Sequence, residues 1–131
     1  MTEATAAAAL FSGAPSTVHA LLTTRSLGAT ATYVLDATRA IGTLVPPGRP
    51  GLTRGAIIHL GISAAVGEAL ARALPRQRSA AWGAAAGLAL GVVDIGLIGR
   101  HFPAIRALPL IPQIADHVAF GAVFALVADR H

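Results

Sequence analysis

The stretch SAAWGAAAGLALGVVDIGLIG, Ser79–Gly99, decides how this chain is read. It holds a single charge, Asp94, and is bracketed by Arg78 and Arg100. A helix needs about 20 residues to cross a hydrocarbon core of about 30 Å, and this stretch has 21. A helix that is apolar on every side is either deeply buried or in a membrane. Three more stretches share the pattern. Ala4–Thr24 contains no Asp, Glu, Lys or Arg. Gly55–Leu74 carries only Glu68 and Arg72, near its end. Gln113–Ala128 is shorter, spanning about 24 Å as a helix, with Pro109 and Pro112 before it. The reading is an all-α membrane protein: one domain, residues 1–131, folded as a four-transmembrane-helix bundle.

Composition agrees. The chain is 54% apolar and 12% charged, with a mean hydropathy of +0.65. Soluble domains carry about 25% charged residues, so a soluble enzyme, a disordered tail and a nucleic-acid binder are all disfavoured. The 14 Gly and 8 Pro follow no triplet period, which excludes collagen. A soluble Ala-rich bundle is the competing reading, and it lacks the charge to cover its surface. There is no Cys, hence no disulfide and no thiolate chemistry.

All ten basic residues are Arg, and most flank apolar runs, as residues that hold helix ends at a membrane interface do. Glu3 and the absence of a basic residue before the first apolar run argue against a cleaved signal peptide. Leu27–Val45 carries Asp36 and Arg39 in its middle, a spacing that allows a same-face pair. It reads as an amphipathic helix lying at the interface between spans 1 and 2. Val45-Pro46-Pro47-Gly48-Arg49-Pro50-Gly51 then breaks the helix. Calling the side reached after the first crossing side B, six Arg fall on B and four (Arg72, Arg76, Arg78, Arg130) on side A. The positive-inside rule therefore makes B cytoplasmic, with both termini outside, in a multi-pass protein of the cell membrane.

Gly83, Gly87 and Gly91 recur every four residues. Such a stripe lets two helix backbones approach closely in lipid. It serves packing within the chain or, alternatively, a homo-oligomer seam. Asp94 continues the same face, and Trp82 sits one turn in, where an interfacial ring belongs. In the first stretch Ser12, Ser16, His19 and Thr23 form one polar stripe. Pro15 in its midst removes a donor and frees the carbonyl of Phe11.

Alternating crossing directions carry five ionisable side chains into the same half of the bilayer: His19, His59, Asp94, Asp116 and His117. Ionisable groups within spans usually face inward, pair, and mark function. Imidazoles with carboxylates suit a proton relay or a metal such as Zn, Fe or Mn, and two apposed His suit haem. The same groups also serve as polar ties between helices. Asp116 and His117, adjacent in sequence, point to different parts of the helix surface, so at most one is expected at a shared site. Glu68 and Arg72 have the spacing of a local ion pair. His101 and Arg106 fall in the connection Arg100–Gln113 and are expected at the surface; with Leu27–Val45, that connection is placed to cover the cluster. No H-E-x-x-H, G-x-S-x-G or P-loop occurs, so enzymatic activity is not favoured. The expected function is binding or passing a proton, cation or small solute. A structural or accessory subunit of a larger membrane complex and a metal- or haem-binding membrane protein are the alternatives.

The segments Ser12–Leu21, Asp36–Gly42 and Ala115–Gly121 resemble a group of small four-span actinobacterial integral membrane proteins. The resemblance implies a multi-pass membrane protein and carries no activity across. In size the chain is also similar to small multidrug-resistance transporters and fluoride channels. The former would want an acid in the middle of the first span, and Ala4–Thr24 has none.

Overall fold

The structure, a computed structural model, describes residues 2–75, 77 and 80–129. Seven α-helices follow in order: α1 (Glu3–Phe11), α2 (Ala14–Thr24), α3 (Leu27–Ile41), α4 (Leu52–Ala73), α5 (Ala80–Gly91), α6 (Pro103–Arg106) and α7 (Leu110–Ala128). A 3-10 turn, Gly42–Leu44, extends α3. α5 runs on through a π-helical segment, Val92–Ile98, and a 3-10 turn, Gly99–His101. No strand occurs among the described residues. Arg76, Arg78, Ser79, Arg130 and His131 lie outside them, and with them most of the side-A arginines and the first residue of the Ser79–Gly99 stretch.

Among the described residues, three helices are long and apolar enough to cross a membrane: Leu52–Ala73, Ala80–His101 and Leu110–Ala128. Most of their residues are not buried within the chain. Large apolar side chains such as Leu10, Phe11, Leu22, Ile57, Leu88 and Val92 are exposed. In water that surface would aggregate; in a bilayer it is the solvent-compatible face. The chain is therefore a helical membrane protein.

The first apolar stretch departs from expectation. Ala4–Thr24 is not one continuous span but two helices of 9 and 11 residues, each too short to cross alone. The chain turns at Ser12–Gly13. Pro15, with no N–H, takes the second position of α2, where a donor would be unsatisfied anyway. α7 begins at Leu110 rather than Gln113, because Pro112 fits its first turn for the same reason. α4 begins at Leu52, three residues before Gly55.

α5 and α7 are in backbone contact. A Cβ built on Gly83 would sit 2.1 Å from the Gly121 carbonyl oxygen, and one on Gly87 would sit 2.2 Å from the His117 carbonyl oxygen. Gly121 meets the Gly83 carbonyl in turn. The glycine stripe is thus filled by α7 of the same chain. Gly83, Gly87 and Gly91 are all buried in this contact within the chain. α3 and α4 cross as closely, at Gly55, where a Cβ would strike the Thr38 carbonyl. Between these contacts lies a small core of Ala4, Ala8, Leu70, Leu74, Phe120, Phe124 and Ala125. Phe124, 1% exposed, is its one large fully buried side chain.

Two surface ion pairs form at their helical spacings, Asp36–Arg39 and Glu68–Arg72, each at 2.7 Å. Arg54 does something else. Its guanidinium donates from Nε to the Gly42 carbonyl (2.9 Å), and from Nη2 to the carbonyls of Val45 and Pro46. It ties the turn after α3 to the first turn of α4. Each hydrogen bond from a charged donor contributes about 1.5–3 kcal/mol at most, less where solvent screens it. Arg54→Met keeps the stem and removes the donors. It is expected to destabilise the protein by about 1–2 kcal/mol, read as a lower thermal midpoint in detergent. An unchanged midpoint would show that the turn holds itself.

Candidate functional site

A cavity of about 600 Å³ opens between α1, α2, α3, α4, the π-helical segment and α7. Its walls are mostly apolar. Its polar lining includes four ionisable side chains, His59, Asp94, Asp116 and His117, together with Ser12, Ser16, Thr17, Ser63 and Gln113. α3 supplies Tyr33 and Thr38, the 3-10 turn after the π-helical segment supplies Gly99, and the connection from there to α7 supplies Ile105 and Leu108. Both segments expected to cover the cluster therefore line it.

Asp94 stands in the π-helical segment. There the Gly99 N–H reaches back five residues to the Asp94 carbonyl, the widened ladder that often marks functional positions. Its carboxylate Oδ2 lies 2.9 Å from Nε2 of His117. The other ring nitrogen, Nδ1, lies 2.8 Å from the Gln113 carbonyl oxygen, one turn back on α7. The ring is thus held between two acceptors. A carbonyl only accepts, so Nδ1 carries a hydrogen. The line from Nε2 to Oδ2 then carries a second proton, on the ring or on the carboxyl. The pair is neutral as a unit in either form. The side chain of Asp94 is 45% exposed and that of His117 26%, so the carboxylate is open to the cavity.

Asp116 faces another way. Its Oδ1 accepts the backbone N–H of Ser16 at 2.8 Å, across 100 residues of sequence. Ser16 is the third residue of α2, and Gly13 before the helix makes no side-chain cap. The Thr17 N–H is satisfied within the helix by the Gly13 carbonyl at 3.0 Å; the Ser16 N–H is the orphan donor that precedes it. A carboxylate from α7 therefore caps the second half of a broken helix. The Ser16 and Thr17 hydroxyls fold back on the Gly13 carbonyl. The Ser16 N–H and the Gly13 carbonyl, both freed at the break, are thus met inside the chain, as a low-dielectric setting requires.

His59, on α4, lines the cavity and is partly buried; among the described residues its ring makes no hydrogen bond. His19 does not join the group. It lies exposed on α2, away from the cavity lining. Ser12 and Ser16 of the expected polar stripe are buried, whereas Thr23 is exposed with His19. Asp116 and His117 both border the cavity, against the expectation that only one would. They leave α7 in different directions, but the cavity wraps that end of the helix, so one turns to α2 and the other to the π-helical segment. His101 and Arg106 are exposed.

Two further polar groups were not among the sequence candidates. The Gln113 side-chain amide donates to the Tyr33 hydroxyl at 3.2 Å, joining α7 to α3 at the cavity. The one signal for them was that Tyr33 is the single Tyr of the chain and Gln113 the polar residue opening the last apolar stretch. Among the described residues no three His, Asp or Glu side chains converge as metal ligands. Comparison with family models, curated proteins and solved structures gives no match to this chain. Fold and site together define a helical membrane protein with a cavity whose ionisable lining, among the described residues, includes two carboxylates and two imidazoles.

Proposed function

We propose that this chain is a small multi-pass membrane protein that binds, and passes across the bilayer, a small solute held in the cavity between α2, α3, α4 and α7. In this reading α1 and α2 together form a broken fourth crossing. α3 lies at the interface over the side-B end, and both termini are outside. The observation that carries the proposal is the cavity: its volume is in the range of small-molecule sites, and its walls are apolar with a few convergent polar groups. Asp94 is the acceptor and His117 its proton partner. An accessory or purely structural role is favoured by one specific observation, the use of Asp116 as a cap for α2; it accounts for Asp116 alone and leaves the cavity unexplained.

Three soluble probes sharing a benzyl body test it: benzyltrimethylammonium, benzyl alcohol and benzylsulfonate. In lipid nanodiscs at least one is expected to raise the thermal midpoint of the parent chain in a saturable way. The variant Ala37→Trp, which fills the cavity from α3, is expected to lose that response. If none of the three stabilises the parent, or if the tryptophan variant responds as the parent does, the cavity is not a binding site.

A further inference from the structure

Resting on that reading, we infer that the solute is an organic monocation with an apolar body, and that it binds in exchange for the one proton shared by Asp94 and His117. The argument begins with charge. Among the described residues no Arg or Glu lines the cavity; its formal charges there come from Asp94, Asp116 and the imidazoles. Asp116 is committed to the N-terminus of α2 through the Ser16 N–H. Asp94 is different. Among the described residues only its Oδ2 has a partner, His117, and the carboxylate remains open to the cavity. An anion entering here would meet two carboxylates. A neutral solute offers the open oxygen of Asp94 a hydrogen bond at most, and no countercharge. A cation would be paired.

The proton count then sets the exchange. With both His117 nitrogens on acceptors, the Asp94–His117 unit holds two protons and no net charge. If the Nδ1 hydrogen stays on the Gln113 carbonyl and the shared proton leaves to water, the unit becomes neutral imidazole beside carboxylate, with charge minus one. One monovalent cation restores neutrality. Keeping the proton as well would place an uncompensated positive charge in a mostly apolar cavity, which is costly. The other groups that face the pair are His59 from α4, Asp116 and Gln113 from α7, Ser16 from α2 and Tyr33 from α3. Of these, His59 brings a second imidazole and Asp116 a second carboxylate to the cavity. The apolar walls, built by residues such as Leu60, Val66, Leu90 and Phe120, ask for a hydrophobic body rather than a hydrated metal cation.

Calorimetric titration of the parent chain in nanodiscs with benzyltrimethylammonium, in two buffers of different ionisation enthalpy, tests the exchange. Near neutral pH, about one proton released per cation bound is expected. Binding about tenfold or more tighter than that of benzyl alcohol is also expected. Asp94→Asn should abolish the proton release and weaken cation binding by about tenfold, while Asp94→Glu restores both in part. Helix content by circular dichroism should be the same in all three chains. Proton release near zero in the parent, or undiminished cation binding in the Asn variant, overturns the inference. Equal binding of benzyl alcohol or benzylsulfonate overturns it as well but leaves the cavity a binding site; failure of all three probes removes the functional reading itself.

Discussion

Gly87→Val separates α5 from α7 and costs about 3 kcal/mol of stability, read as an earlier unfolding transition in detergent. Overpacking a core by a few methyl groups costs about 1–3 kcal/mol, occasionally more. This site belongs at the upper end because the obstacle is backbone. The new Cβ would meet the His117 carbonyl oxygen at 2.2 Å and the Val118 Cα at 2.9 Å, and neither atom can rotate away. The helices must part, and no residue between them is large enough to fill the gap they leave. The displacement falls on His117 itself, so its 2.9 Å contact with Asp94 should lengthen and any ligand-induced stabilisation should vanish together with the stability. Gly61→Ala is the comparator. Gly61 lies on α4 with no atom within 4 Å of a built Cβ, and an alanine there should stabilise the helix by up to about 1 kcal/mol. If Gly87→Val were as stable as the parent, the close α5–α7 contact would be wrong.

The packing face of α5 was legible in the sequence, though its partner α7 was not, and the reasons are specific. Gly83, Gly87 and Gly91 fall at the one spacing that lines up small residues along a helix. A stretch of 21 nearly uncharged residues also leaves few alternatives to a spanning helix. The break in the first stretch was harder to see. Hydropathy sums over Ala4–Thr24 and is blind to Ser12–Gly13, where a weak helix former precedes Ala14-Pro15 and the ladder has no donor to continue with. The π-helical turn around Asp94 left no signal in composition. It depends on the Gly99 N–H reaching the Asp94 carbonyl, a choice between two ladders that the same residues permit.

For the site, crossing direction carried the information. His59, Asp94, Asp116 and His117 lie on three different helices and line one cavity, because antiparallel neighbours bring the start of one helix to the level of the end of another. His19 was misplaced because an offset of three residues turns it about 60° round α2 from Ser16. The buried line of α2 runs through Ser16 and Ala20, and His19 falls on its outer flank. The sequence also treated Asp116 and His117 as competitors for one site, whereas a cavity that wraps the end of α7 gives each its own partner.

Asp116→Val frees the N-terminal half of α2, at a net cost of about 2 kcal/mol, without touching the α5–α7 contact. Valine has nearly the same shape and no acceptor, so the Ser16 N–H is left unpaired where water is scarce, at about 1–3 kcal/mol. Loss of a negative charge at a helix N-terminus adds up to about 2 kcal/mol, offset by no longer burying a carboxylate. Asp116→Asn keeps an oxygen acceptor for Ser16 and should cost less than about 1 kcal/mol. Hydrogen exchange locates the effect. In the valine variant the amides of Ser16 and Thr17 should exchange faster, with α7 around Phe124 unchanged; equal protection at Ser16 in both chains would mean the 2.8 Å contact holds nothing. The same pair of substitutions separates the two carboxylates of the cavity. One is already spent on a helix end, so neutralising it as asparagine should leave cation binding within about threefold of the parent. The other faces the cavity, and neutralising Asp94 should weaken cation binding by about tenfold. A chain in which both asparagine variants bind alike would have two structural carboxylates and no acceptor.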